Sequence, residues 1–176
     1  NERDAVVKQL GDRFKAQPSE IVERVSAVQE ELKATGKALA AAQAELAVAK
    51  AGALAAKAEP VGEFQLLVER LDGVDGAGLQ GAAQSLADQL GDGAAVVLGG
   101  LPDPSDLGKV ILVAAFGKQV IAAQLQAGKF IGGIAKLCGG GGGGRPNLAQ
   151  AGGRDGSALT DALAKARSEL EAGLQS

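Results

Sequence analysis

Six consecutive glycines, Gly139 to Gly144, constrain the fold of this chain more than any other segment. Arg145 follows them directly, and a further glycine pair, Gly152 and Gly153, lies shortly after. Glycine loses more backbone freedom on folding than any other residue, about 0.5 to 1 kcal/mol relative to alanine in regular structure. Six glycines in a row should therefore either stay disordered or serve a purpose that side chains would prevent.

Three roles are compatible with the glycine run. It could be a flexible linker, a closely packed backbone segment, or a nest of N–H groups that binds an anion with help from Arg145 and Arg154. A nucleotide-binding Walker A loop does not fit, because that loop follows a strand and ends in Gly-Lys-Ser/Thr. This run follows a predicted helix and ends in Arg145-Pro146.

Positive charge is concentrated around the glycines although the whole chain carries a formal charge of −3. Between Lys109 and Arg154 the sequence has 6 of its 18 basic residues and none of its 21 acidic ones. The other 12 basic residues therefore face all 21 acidic ones, a formal charge of −9 outside this segment. One basic segment in an acidic chain is typical of polyanion binding.

The basic segment lacks the groups that catalysis needs. It contains no Asp, Glu, His, Ser, Thr or Tyr, so it offers no general base and no hydroxyl nucleophile. Cys138 is the lone cysteine and is predicted to lie on the buried face of a helix. The chain also has no histidine, so the usual nitrogen and sulfur ligand sets for zinc or iron cannot be built. We therefore interpret the basic segment as a binding surface that neither catalyses a reaction nor holds a metal.

The first 59 residues are predicted to form a helical arm. A helix over residues 2 to 16 should end near Gln17, before Pro18, and Ser19 should cap a longer helix. The apolar positions of that longer helix alternate in steps of four and three, typical of a coiled-coil seam. They are Ile21, Val25, Val28, Leu32, Leu39, Ala42, Leu46, Ala49, Ala53 and Ala56. Candidate partners are the first helix, a second copy or a neighbouring domain; an unpartnered spacer helix over residues 38 to 58 is the alternative.

Residues 60 to 176 are predicted to form a small globular domain. Strands are expected at residues 63 to 71, 94 to 98 and 110 to 116, with a helix over residues 79 to 90 making the first two parallel. A short edge strand is expected at residues 148 to 151, and Asp155 or Ser157 should cap a last helix. The fold class is therefore α+β (mixed α/β), with a long N-terminal arm and a mostly parallel or mixed sheet flanked by helices.

A helix over residues 120 to 138 should present two opposed faces. At 100° per residue, its core stripe is separated from Lys129 and Lys136 by about 140° to 160°. The predicted core stripe comprises Ala127, Ile131, Ile134, Ala135 and Cys138. The lysines should therefore face solvent next to the glycine run, where they can neutralise phosphate.

The glycine-rich segment resembles the C-terminal signature of the alanyl-tRNA synthetase family, whose domain is of the DHH-associated type. The matching positions are Gly139, Gly140, Gly142, Gly143, Gly144, Arg145, Pro146, Ala149, Gln150, Ala151, Gly152 and Gly153. The likeness extends upstream to Ala127-Gly128-Lys129 and to the Ala135-Lys136 pair. An arm followed by a small globular domain also agrees with that region, so the resemblance covers essentially the whole chain.

The resemblance implies a noncatalytic C-terminal module that binds the outer corner of tRNA(Ala), links the aminoacylation and editing domains, and also dimerises. The donors it implies are Lys129, Lys136, Gly142, Gly143, Gly144, Arg145, Asn147, Gln150, Gly152, Gly153 and Arg154. In this interpretation the glycines form a packed turn that holds these residues toward a folded RNA. The arm residues Ile21, Val25, Val28, Leu32, Leu39 and Leu46 would form the dimer contact.

Two alternatives remain open. One is the nucleotide-binding or oligonucleotide-binding partner domain of a DHH phosphoesterase, although Arg145 stands where that group has a histidine. The other is a purely structural dimerisation module. The start at Asn1 without a methionine predicts a fragment, and no cofactor is expected in it, whereas the ATP-dependent parent ligase would use ATP, Mg²⁺ and Zn²⁺. The lone cysteine and the lack of a signal segment predict a cytoplasmic location with no membrane contact.

Overall fold

The computed structural model describes residues 1 to 176, which form two compact units, Asn1–Ala42 and Gln43–Ser176. This division lies upstream of residue 59, where the sequence suggested a domain boundary, and the boundary of the functional domains stays a prediction. A single helix, Ile21–Leu54, carries the chain from the first unit into the second. By length and composition alone, Pro18–Lys57 could cross a membrane. That is weak evidence, because charged residues such as Lys37 and Glu45 recur along it.

The first unit contains helix α1, Glu2–Phe14, and the first part of α2, Ile21–Leu54. Helix α1 ends earlier than predicted, because Lys15 adopts a left-handed conformation with φ of 49°. The predicted cap at Ser19 is wrong, since Pro18–Glu20 forms a 3₁₀ turn in which the Glu20 carboxylate accepts a bond from the Gln17 N–H at 3.2 Å.

Most of the predicted seam is exposed. Ile21 is buried and Val25 half-buried, whereas Val28, Leu32 and Leu39 are 46%, 71% and 59% exposed. Helix α1 therefore does not cover the seam of α2 in this chain, which excludes the first of the three candidate partners.

The end of α2 packs differently from the predicted seam. Within the second unit, Leu46 is exposed, while Ala47 and Ala51 are fully buried among residues of the helix at Gly76–Leu90. The small alanine side chains allow this close helix approach. The seam predicted from the four-and-three spacing had placed the contact at Leu46 and Ala49 instead.

The second unit is built on a six-stranded mixed sheet in the order β1-β2-β3-β4-β6-β5. The strands are β1 Glu59–Val61, β2 Phe64–Arg70, β3 Ala94–Gly100, β4 Val110–Phe116, β5 Gly141–Gly144 and β6 Leu148–Gly153. The predicted strands β2, β3 and β4 are confirmed, and β2 and β3 are parallel as expected. All other neighbours are antiparallel.

Helices cover both faces of the sheet. Helix α3, Gly76–Leu90, packs on one face with Leu79 and Leu86. The other face carries α5, Ala127–Ala135, and α6, Leu159–Gln175. Strand β4 is buried at every position, as its continuous apolar run predicted for a central strand.

The prediction of one continuous helix over residues 120 to 138 is wrong. The chain forms α4, Lys118–Ala122, a bend with Gln124 at φ of 68°, then α5 and a 3₁₀ turn at Lys136–Cys138. Helix α5 starts where the Ala127 N–H donates to the Pro146 oxygen at 2.9 Å, a long-range bond that local sequence does not encode. The predicted core face is nevertheless confirmed, because Ile131, Ile134 and the rest of that stripe are fully buried.

The last predicted elements need smaller corrections. Strand β6 lies between β4 and β5, so it is not the edge strand. The Asp155 carboxylate caps a 3₁₀ turn at Gly156–Ala158 by accepting from the Ser157 N–H at 3.0 Å. The buried stripe of α6 is confirmed and comprises Leu159, Leu163, Ala166 and Leu170.

Candidate nucleic-acid interface

The glycine run forms the edge strand of the sheet. Strand β5 pairs antiparallel with β6, from Gly141 opposite Gly152 to Gly144 opposite Ala149, and all four of its residues are exposed. A linker and a turn are therefore both wrong descriptions of this segment. The turn lies earlier, at Gly139, whose φ of 67° is the left-handed conformation that favours glycine.

Close packing against β6 explains part of the glycine requirement. A side-chain carbon on Gly144 would lie 2.8 Å from the Cα of Ala149, and one on Gly142 would collide with the backbone of Ala151. Gly140 is equally confined by the carbonyl of Gly152. The hypothesis of a closely packed backbone is thus confirmed for these positions.

Helix α5 also approaches β5 through glycines. A side-chain carbon on Gly128 would lie 2.6 Å from the Gly144 oxygen, and one on Gly132 would lie 2.8 Å from the Gly142 oxygen. These two glycines are four residues apart, so they lie on one side of the helix. The spacing of four is visible in the sequence, and the predicted site did not include Gly128 or Gly132.

A shallow groove runs between α5 and β5, and we call it the lysine groove. Its lining consists of Gly128, Lys129, Gly132, Gly133, Lys136 and Gly141 to Gly144. Both lysines are exposed, as predicted, Lys129 on α5 and Lys136 at the start of the 3₁₀ turn that follows it. No carboxylate lines this groove, and Glu169 lies in the adjoining depression that shares Lys129 and Gly133 with it.

A second groove lies on the opposite face of the sheet, between α3 and the same edge strand, and we call it the amide groove. Its lining consists of Gln80, Gln84, Gly143, Gly144, Arg145, Asn147, Leu148, Ala149 and Gln150. The structure thus brings Arg145, Asn147 and Gln150 together as predicted. Gln80 and Gln84 were missed, since only the order of the strands places α3 beside β6.

Three predicted contact residues lie outside both grooves. Gly152 pairs with Gly141, and Gly153 packs on Cys138, where a side-chain carbon would lie 2.6 Å from the Cys138 Cβ. The Arg154 N–H donates to the Cys138 oxygen at 2.7 Å, which fixes the backbone, and the Arg154 side chain is exposed. Packing accounts for Gly153, whereas a side-chain carbon on Gly152 would meet only the Val110 oxygen at 3.7 Å, an ordinary contact. Ligand contact by all three residues stays a prediction.

The four predicted cations are free to meet an anion. The five ion pairs of the chain involve other residues, so Lys129, Lys136, Arg145 and Arg154 have no carboxylate partner. Cys138 cannot act as a nucleophile beside them. It is fully buried, and burial together with the nearby Asp155 charge raises the pKa of its thiol.

Comparisons with known proteins agree on one family. A family model described as the DHHA1 domain matches residues 63–172. An alanine–tRNA ligase of Parasynechococcus marenigrum (strain WH8102) is 91% identical over 174 residues, which are 99% of this chain and 20% of that protein. The alanine–tRNA ligase of Synechococcus sp. (strain CC9605) is 85% identical over 97% of this chain and 19% of its own length. The chain therefore spans about a fifth of these relatives.

A solved structure has the same fold. The crystal structure of the C-Ala domain from Aquifex aeolicus alanyl-tRNA synthetase superposes with a TM-score of 0.55 at 28% identity. The superposition covers 68% of this chain and 98% of that one.

Proposed function

Because this chain belongs to the DHHA1 domain family, we propose that it is the C-terminal module of an alanine–tRNA ligase and binds the outer corner of tRNA(Ala). The relatives named alanine–tRNA ligase and the C-Ala domain fold support this assignment. In the proposal the module is noncatalytic and holds one tRNA for the aminoacylation and editing domains of the same protein. ATP, Mg²⁺ and Zn²⁺ would serve those other domains, and the location would be the cytoplasm.

The single observation that carries the proposal is the bare edge strand between two grooves. Strand β5 exposes backbone at all four of its positions, and Lys129, Lys136 and Arg145 surround it without a carboxylate in either lining. Unpaired cations beside exposed N–H groups can neutralise several phosphates, the main sequence-independent source of nucleic-acid affinity. The absence of side chains on β5 lets a sugar–phosphate backbone approach the protein backbone closely.

Titration of a tRNA(Ala) transcript against this chain at several salt concentrations tests the proposal. We expect binding that weakens with salt, and Arg145→Ala should lower the salt slope by about one unit, because one phosphate contact is lost. Absence of salt-dependent binding in both proteins would refute it. Binding of mononucleotides with no preference for folded tRNA would favour the partner domain of a phosphoesterase instead.

The exposed arm supports a second candidate function, dimerisation. Val28, Leu32 and Leu39 share the stepped spacing of a coiled-coil seam and are exposed in the single chain. A second copy of the chain could cover these side chains, and an apolar surface on a neighbouring domain of the ligase would cover them equally well. Sedimentation of the full chain and of a chain without residues 1 to 42, which leaves the second unit whole, separates these outcomes. Loss of a dimer with retained tRNA binding would show that both functions exist and are separable.

A further inference from the structure

The amide groove differs in chemistry from the lysine groove although both border the same glycines. It presents four carboxamide side chains, Gln80, Gln84, Asn147 and Gln150, and a single cation, Arg145. Carboxamides carry both donors and acceptors, which match the edges of nucleobases, whereas ammonium groups match phosphate. The two faces of the sheet edge are therefore suited to different parts of a nucleotide.

Two of the carboxamides are held in place by the protein. The Gln80 Nε2 donates to the Gln150 Oε1 at 2.7 Å, which ties α3 to β6. Gly76 contributes as well, because a side-chain carbon there would lie 2.6 Å from the Gln150 Nε2. Gln80 and Gln150 thus form a fixed wall of the groove.

The other two carboxamides retain bonding capacity toward the groove. The Gln84 Nε2 donates to the Asp88 Oδ1 at 3.0 Å, which leaves its Oε1 as an acceptor. Asn147 is fixed through its backbone oxygen, which accepts from the Phe116 N–H at 2.9 Å, so its side-chain amide is available. An amide acceptor and an amide donor that line the same groove can pair with one base edge.

Charge beyond the groove restricts what can lie there. Past Gln84 and Asn147 the surface continues into a depression that carries Asp88 and Asp92 together with Lys118. Two carboxylates there disfavour a phosphate, whereas an uncharged base meets no such repulsion. The lysine groove has two ammonium groups in its lining and borders one carboxylate, Glu169, so it is the side that suits the sugar–phosphate backbone.

We propose that the amide groove binds the edge of an exposed nucleobase, with Gln84 and Asn147 as the reading residues and Gln80 and Gln150 as positioning residues. Arg145, which directly follows the glycine strand, keeps the phosphate contact of the proposed function. The phosphates of the same RNA lie along Lys129 and Lys136, so the ligand spans the edge of the sheet at Gly143 and Gly144, which line both grooves.

Gly143 agrees with this path. A side-chain carbon there would lie 4.0 Å from its nearest neighbour, the Gly128 oxygen, and its φ is not positive. Internal packing therefore does not require glycine at this position, in contrast to Gly142 and Gly144. A bare backbone at Gly143 instead serves the approach of a ligand that crosses the edge.

The inference rests on the proposed tRNA binding, so its test uses two probes. A tRNA(Ala) transcript offers bases and phosphates, whereas inorganic polyphosphate offers phosphates alone. The double variant Gln84→Ala/Asn147→Ala should bind tRNA about tenfold or more weakly, because a good amide–base pair discriminates by roughly that factor. Its polyphosphate affinity and its salt slope with tRNA should stay unchanged, since no charge is removed.

A matched variant and a second measurement keep the outcomes distinct. Gln89→Ala removes an exposed glutamine of the same helix outside the groove and should change neither affinity, while thermal unfolding shows that each variant folds. Absence of tRNA binding by the wild-type chain would refute the proposed function itself. Wild-type binding with an unaffected double variant, or an equal loss with both probes, would overturn the base-reading role alone.

Discussion

The helical arm and the glycine strand both expose groups that folding normally covers, but they expose opposite kinds. The arm exposes the apolar side chains Val28, Leu32 and Leu39, whereas β5 has no side chains and exposes polar backbone beside lysines. Apolar side chains gain most from burial against another protein surface. Bare backbone with unpaired cations gains most from an anionic ligand. The two regions should therefore have separable partners, a protein surface and an RNA.

Acidic residues in the seam should produce the largest effect if the arm pairs with a second copy. Leu32→Asp with Leu39→Asp removes two leucines, each worth about 1.5 to 3 kcal/mol when buried, and adds charges that a seam cannot pair. We expect self-association to weaken at least 100-fold in sedimentation equilibrium. Affinity for tRNA per chain should not change, and a parallel loss of tRNA binding would mean that the two regions are not separable.

Alanine at Gly142 should be the next largest change, because its side-chain carbon would collide with the backbone of β6. Overpacking of this kind costs about 1 to 3 kcal/mol. For a chain of this size that corresponds to a fall of several degrees in Tm, about 2 to 4 °C per kcal/mol. The matched variant is Gly141→Ala, where the carbon would meet nothing within 4 Å. Equal Tm values for the two variants would contradict the packing account of the strand.

Removal of the groove lysines should have a smaller and purely electrostatic effect. Lys129→Ala with Lys136→Ala should lower the salt slope of tRNA binding by about two units without a change in Tm, because both side chains are exposed. The double variant Lys33→Ala/Lys37→Ala removes the same charge from the arm and should leave the slope unchanged. A slope lowered by the arm variant and unchanged in the groove variant would place the phosphate contacts on the arm.

The smallest expected effect concerns pH. Burial raises the pKa of the Cys138 thiol above its ordinary value of 9.0, with a further contribution from Asp155. The unfolded chain therefore loses this proton first as pH rises. The thiol's contribution to the free energy of unfolding is thus fully present below pH 9 and declines above it. Urea unfolding of wild type and Cys138→Ala between pH 7 and 10 measures the difference. A decline of equal size in the variant would assign it to other groups.

The sequence predicted the helices and strands whose apolar and polar side chains follow a regular pattern. Strand β4 was found from its unbroken apolar run, and the exposure of Lys129 and Lys136 followed from angular spacing along one helix. Strand β5 could not be found, since glycine has no side chain to alternate and only the free edge of β6 makes it a strand. The break before α5 depends on a bond to the distant Pro146 oxygen, and Gln84 joins the site only through strand order.

The backbone amide NMR signals of Gly141 to Gly144 during addition of tRNA(Ala) show whether RNA lies on the glycine strand. We expect these signals and those of Gly128, Lys129 and Lys136 to shift or broaden first, while those of Leu32 and Leu39 stay in place. Shifts confined to the arm, with the amides of β5 unchanged at saturating tRNA, would contradict it.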